Sequence, residues 1–342
     1  MKENQQRVRY IDQLKGVAIL IVVIGHFIQY NTVEGNRNIL FGIIYSFHMP
    51  LFMFISGYVA YKTIQPKILN QYFLFLKKKI SAILVPFFTW PLIINPYFFN
   101  NQYNNNPFKT LTILINGPSG GLWFLWYLFF LYLLYTLFLA LTIRFNRGCS
   151  ITLDLLFGAL ICIIPIGVGM SHIISYADSF TLYYIFFFMG VFVSKFESIK
   201  NFIMTNTVFS CCFIFFMVGS RLYDFNSHSH LNLAIKLMLS ISAIITIYFI
   251  VQKIEWNTFI DKYVREWGKN SLVIYVTQFG ILSMFPKYFL IPPLNILLLS
   301  SITLIFSVIT ILVCMAALRI IELSEMLNFV LYGRIKKNRK TA

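Results

Sequence analysis

Lys15 and His26 are the ionisable pair best placed to do chemistry in this sequence. They bracket ten residues of an apolar run that opens Arg9-Tyr10-Ile11-Asp12-Gln13-Leu14-Lys15-Gly16 and closes Gly25-His26. At about 100° per residue the spacing falls within roughly 20° of three helical turns, so both side chains share one face, roughly 16 Å apart along the axis. A neutral imidazole, with a pKa of about 6.5, can take a proton from a hydroxyl at physiological pH. An ammonium group attracts anions. Ile19 and Val22 lie between the two. Read functionally, this face is one wall of a cavity with a cation at the mouth and a base deeper in. Read plainly, Lys15 snorkels to an interface and His26 bonds a neighbouring helix.

Other polar groups sit inside apolar runs, where burial is costly and marks function. His48 lies in Phe47-His48-Met49-Pro50-Leu51-Phe52, followed by Ser56-Gly57-Tyr58. It reads as a second catalytic group or a structural hydrogen-bond partner. Pro50 has no N–H, so the Ser46 carbonyl loses its helical donor and a kink is expected there. Trp123, Trp126 and Tyr127 form an aromatic belt at a membrane interface or a floor for stacking a sugar ring. Ser271, Tyr275 and Gln278 recur at i, i+4 and i+7, a polar stripe that must face protein or a cavity. Lys236 lies a few residues inside an apolar run and pairs with Asp178 or Asp224, or holds an anionic acceptor. His228-Ser229-His230 has too few companions for a metal site and reads as a solvated loop, and no metal is expected. There is no phosphate-binding glycine loop and no nucleophilic serine elbow. Cys149, Cys162, Cys211, Cys212 and Cys314 have no ligand spacing and read as small buried apolar residues.

The elements that position these groups are set by composition. Of 342 residues, 58 % are hydrophobic and only 12 % charged, against roughly 25 % charged in soluble domains. A soluble chain so poor in charge could not cover its own surface. The mean hydropathy of +0.73 agrees, and a disordered chain or a soluble enzyme is excluded. The net charge of +16 invites nucleic acid as a partner. The cations fall between apolar blocks, however, which points to the lipid bilayer instead. Spans of about 20 apolar residues are expected near 14–30, 39–61, 80–99, 122–143, 151–170, 176–194, 202–220, 231–251, 270–286 and 294–318. The fold class is therefore all-α: a polytopic membrane protein, a bundle of about ten transmembrane helices.

Lys and Arg set the direction. They crowd segments 2–15, 62–79, 144–147, 195–200, 253–269 and 319–340, whereas the alternate loops hold Arg37, Lys109, Arg221 and Lys287. Both termini are then cytoplasmic in a cell (inner or plasma) membrane. The first apolar run is not a cleaved signal peptide, because Gly25-His26 interrupts it and no small-residue cleavage site follows. A single membrane-embedded domain over 1–342, with its core at about 8–320 and a basic tail at 321–342, is expected.

The motifs taken together resemble the acyltransferase 3 family of integral membrane proteins, in particular the O-acetylase branch that modifies cell-surface sugars. Lys15, ten residues and His26 are similar to the family's Arg/Lys–ten–His motif, and Asp12-Gln13-Leu14-Lys15-Gly16 resembles its lead-in. Phe47-His48-Met49-Pro50-Leu51-Phe52 with Ser56-Gly57 resembles the second-helix motif. Gly121-Leu122-Trp123-Phe124-Leu125 is similar to the Trp-Phe-Leu segment. Asn270-Ser271-Leu272 with Ile274-Tyr275 resembles the late motif, which commonly ends in His where this chain has Gln278.

The resemblance implies an acyltransferase that takes an acyl group, usually acetyl, from acyl-CoA in the cytoplasm. The acceptor it implies is a hydroxyl of a glycan or its lipid-linked precursor. His26 would be essential, with Lys15 and His48 as the other catalytic candidates. Acetyl-CoA would be a co-substrate with no bound cofactor, and its phosphates need cations, of which Arg9, Lys15, Lys77, Lys78 and Lys79 are the nearest supply. Asp12, Ser56, Trp123, Tyr127, Ser271, Tyr275 and Gln278 would line the acceptor side. Two rivals differ in class: a transporter or flippase for a lipid-linked glycan, which needs no acyl-CoA, and a scaffold in which Lys15 and His26 are dispensable.

Overall fold

A computed structural model describes residues 9–33, 35–63, 69–94, 108, 110–112, 122–145, 150–170, 177–227, 229–284 and 295–334. Those residues are almost wholly helical. In chain order the helices are α1 (Arg9–Asn31), α2 (Ile39–Thr63), α3 (Leu69–Thr89, continued by a π-helical turn at Trp90–Ile94), α4 (Trp123–Phe145), α5 (Ile151–Met170) and α6 (Ala177–Lys195). They continue as α7 (Glu197–Ile203), α8 (Asn206–Gly219), α9 (His230–Lys253), α10 (Thr258–Lys269), α11 (Ser271–Met284), α12 (Ile296–Ile321) and α13 (Glu325–Tyr332). Each expected span finds its helix, although residues 95–99, 176, 285–286 and 294 lie outside the described residues. So do most of segment 100–121, His228 and the end of the basic tail.

Five of these helices, α1, α2, α4, α9 and α12, are long and apolar enough to cross a bilayer. A sixth forms if α6 and α7 count as one span, bent by 107° at Phe196. At about 1.5 Å per residue, α12 is long enough to cross the roughly 30 Å hydrocarbon layer, whereas α11 falls short. Large apolar side chains stand outward without cover, among them Leu156 at 63 % exposed, Ile163 at 61 %, Ile305 at 58 % and Leu297 at 77 %. Contiguous apolar surface of this kind is what lipid covers. Of the cysteines, Cys314 is buried, Cys162 and Cys212 are partly covered and Cys211 is exposed on α8, so burial does not account for all of them; Cys149 lies outside the described residues.

The helices fall into two compact units, one comprising Met1–Thr63 with Ile185–Cys314 and the other Ile64–Tyr184 with Met315–Ala342. In the first unit α1 is central, packing on α2, α9, α10 and α11. Its most extensive neighbour is α10, a charged amphipathic helix in a segment that the charge count treats as a connecting loop. The two backbones touch: a Cβ on Gly16 would overlap the Val264 carbonyl oxygen, and one on Gly268 would overlap that of Asp12. In the second unit α3 packs on α4 and α13, and α4 on α5. Trp90 donates its indole N–H to the Leu331 carbonyl at 3.0 Å.

Candidate active site

α2 runs through Pro50 as one helix. The carbonyl that proline orphans does not stay unsatisfied: Ser240 on α9 donates its hydroxyl to the Ser46 oxygen at 2.6 Å, fully buried. Removing a buried partner of this kind leaves a cost of about 1–3 kcal/mol, so the bond pins α9 to the turn of α2 that carries His48. One turn of α2 also fixes the His48 ring. Its Nδ1 lies 2.9 Å from the Ile44 carbonyl. A carbonyl only accepts, so Nδ1 carries the proton and Nε2 is left as the acceptor.

His26 comes from α1 into the same layer. It is 7 % exposed and surrounded by rings: Phe279 at 4.6 Å between centroids, and Tyr30, Tyr45 and His48 each at 6.3 Å. Tyr45 also leans on His48 at 4.4 Å and donates its hydroxyl to Gln29 Oε1 at 2.5 Å. Gln278 on α11 is within interaction range of the His26 ring. Its amide N–H donates to the Tyr275 carbonyl at 3.3 Å. Neither His26 Nδ1 nor Gln278 Oε1, both fully buried, finds a hydrogen-bond partner among the described residues. Unpaired polar atoms buried in an apolar setting are costly unless a further polar group occupies the site.

Of the residues singled out from sequence, the structure brings His26, His48, Gln278 and Tyr275 into one region. Tyr275 and Gln278 are buried and Ser271 half-buried, so the polar stripe faces protein. Lys15 is half-buried on α1. Ile19 and Val22, between it and His26, are 0 % exposed. Both side chains are fully covered, so this stretch of the face is packed in this structure. Asp12 is buried where α1 meets α10, and Ser56 is half-buried on α2.

The basic residues divide. Arg9 joins Asp261 on α10 at 2.8 Å, and Arg265 reaches the same carboxylate oxygen at 3.0 Å. Gln13 donates to the other oxygen at 2.6 Å. Burial of Asp261 pushes its carboxyl up, but the bonds from Gln13 and Arg9 and the charges of Arg265 and Arg9 outweigh that and hold it below its ordinary value. In the second unit Lys79 donates to the Tyr132 hydroxyl at 3.0 Å, while Lys77 and Lys78 are exposed. There too Trp123, half-buried, stacks on Tyr183 at 5.1 Å, and Tyr127 is buried at 3 % exposed.

Tyr45, Phe279 and Asp261 are the site-building residues that sequence reasoning missed. Asp261 and Arg265 stand at i, i+4, a spacing that makes pairs on a helix. Tyr45 and Phe279 carry no distinguishing signal among 20 Tyr and 37 Phe.

An intramembrane histidine cluster in a helical bundle defines a membrane-integral protein with buried acid–base groups. The family comparison makes the assignment specific: residues 8–319 match the acyltransferase domain family Acyl_transf_3, and the chain belongs to it. It is an acyltransferase by class. Two curated relatives are both described as nodulation protein NolL. That of Mesorhizobium japonicum (strain LMG 29417 / CECT 9101 / MAFF 303099) is 37 % identical over 87 residues, 24 % of this chain and 22 % of the relative. That of Sinorhizobium fredii (strain NBRC 101917 / NGR234) is 36 % identical over 87 residues, 24 % of this chain and 23 % of the relative. The matched stretch thus spans less than a quarter of either relative's length. No solved structure matches the chain.

Proposed function

We propose that the protein transfers an acyl group, most simply acetyl, from acyl-CoA to a hydroxyl of a cell-surface glycan or its lipid-linked precursor, with His26 as general base. The observation that carries the reading is the buried His26 Nδ1, which has no hydrogen-bond partner among the described residues, with Gln278 within interaction range of the same ring. An acceptor hydroxyl donating to the imidazole nitrogen would satisfy it and be activated by it. The hydroxyl oxygen attacks the thioester carbonyl, the C–O bond forms and the C–S bond breaks. The proton taken by His26 returns to the departing thiolate, so alcohol and thioester give ester and free CoA thiol. His48 orients the base or the acceptor through Nε2, the ring nitrogen not committed to the Ile44 carbonyl.

In this reading the termini face the cytoplasm of a cell whose inner or plasma membrane holds the protein. Lys15 and the solvent-facing part of Arg9 offer charge to the CoA phosphates. The packed face at Ile19 and Val22 must open for the thioester to reach His26 along α1, a lid-like step common where chemistry is shielded from water. Mass spectrometry or NMR of surface glycans from cells with and without the protein tests the reading. Loss of one O-acyl substituent supports it, and an unchanged acylation pattern contradicts it.

A further inference from the structure

Lys236 is a cation that the proposed chemistry leaves unused. It lies half-buried on α9. Among the described residues it has no ion pair. The Asp224 that sequence offers as its partner accepts instead from the Asn226 N–H at 2.9 Å, and the Asp178 side chain lies outside the described residues. What faces the ammonium is the Tyr223 ring, 5.8 Å from Nζ to centroid. An aromatic face holds a cation without neutralising it.

Its depth follows from register. Ser240 meets Ser46, and further along the same two helices Tyr248 packs on Phe54 at 5.7 Å and on Tyr58 at 6.1 Å. α2 and α9 therefore run parallel, and Lys236, one turn before Ser240, stands level with Gly42. A Cβ on Gly42 would meet a single atom, the Tyr223 carbonyl oxygen at 3.8 Å. The absent side chain thus leaves room on α2 at the height of the ammonium. Six residues along α2, about 9 Å by helical rise, comes His48, which is within electrostatic range of Lys236 and 6.3 Å from His26.

We propose that Lys236 binds an anionic group, phosphate or carboxylate, carried by the acceptor, so that the acylated hydroxyl belongs to a negatively charged sugar. This rests on the acyltransfer reading above. An un-neutralised ammonium in a low-dielectric setting is costly by itself and attracts an anion strongly. Tyr223 and Gly42 supply a cation-tolerant wall and space beside it. A neutral sugar leaves the charge bare, so the site discriminates by charge before chemistry begins.

The test is equilibrium binding of three probes to the purified full chain without acyl-CoA: glucose 1-phosphate, methyl glucuronide and methyl glucoside. At least one anionic sugar is expected to bind about tenfold more tightly than the neutral one, the scale of a charge-assisted contact. Lys236→Met erases that preference and Lys236→Arg retains it. Preference for the phosphate indicates a lipid-phosphate-linked or sugar-phosphate acceptor, and preference for the glucuronide indicates an acidic sugar. Equal affinity for all three in the unaltered protein overturns the proposal, with no variant needed. A preference that survives in a folded Lys236→Met protein overturns it as well. Because binding is read without the donor, failure here is separate from failure of the acyltransfer reading, which shows in the His26 variant and the glycan profile.

Discussion

His26 on α1 and His48 on α2 meet edge to face, their ring planes at 86° and their centroids 6.3 Å apart. The two rings differ in what they have left to offer. His48 commits Nδ1 to the Ile44 carbonyl at 2.9 Å, whereas His26 Nδ1 is buried with no hydrogen-bond partner among the described residues. One is held and the other is available, a division suited to an orienting group and a base.

This predicts a graded response at His48. His48→Ala should lower kcat by about 10–100-fold, less than loss of a general base, which costs about 10²–10⁴. His48→Gln keeps a polar group of similar reach and should recover part of the loss, with the KM for acyl-CoA unchanged in both. Steady-state kinetics in proteoliposomes decides it. A His48→Gln protein as impaired as His48→Ala assigns the ring a role that an amide cannot fill.

Asp261 ties α10 to α1 through Arg9, Gln13 and Arg265. Its carboxyl is held below its ordinary value, so the ionised form is the one the fold prefers. The stability it contributes is complete above the unfolded pKa of about 3.9 and is lost as pH falls through the lower native value. Asp261→Asn should therefore be less stable than the parent at neutral pH, with the difference closing in acid below that range. Thermal unfolding in detergent from pH 7 downward shows this as converging curves. Parallel curves would assign Asp261 no such linkage.

Gly268 tests the close approach of α10 and α1. A Cβ there overlaps the Asp12 carbonyl oxygen, whereas one on Gly167 meets nothing within 4 Å. Gly268→Ala should lose about 1–3 kcal/mol or more through overpacking against backbone. Gly167→Ala should be neutral or gain up to about 1 kcal/mol from helix propensity. Chemical unfolding of the two variants side by side measures the contrast.

The helices were legible because long apolar runs have one structural answer in lipid, and each expected span holds a helix. α10 was not, because Lys262, Arg265, Glu266 and Lys269 read as a charged loop. Its buried positions Asp261, Val264, Trp267 and Gly268 nonetheless repeat with helical spacing. Sequence placed Lys15 and His26 on one face, since periodicity gives direction. It could not show that Ile19 and Val22 are fully packed, because periodicity does not say what covers a face. The Ser46 carbonyl freed by Pro50 was foreseeable from covalent chemistry, but its donor, Ser240, lies 194 residues away and only the fold names it.

The most direct test is acyl transfer by the full chain in proteoliposomes, with radiolabelled acetyl-CoA and a surface-glycan extract as acceptor, comparing the parent with His26→Ala. The account predicts that the variant inserts and unfolds like the parent while transfer falls by about 10²–10⁴, the scale of a lost general base. Transfer at near-parent rates by a folded His26→Ala protein would contradict it.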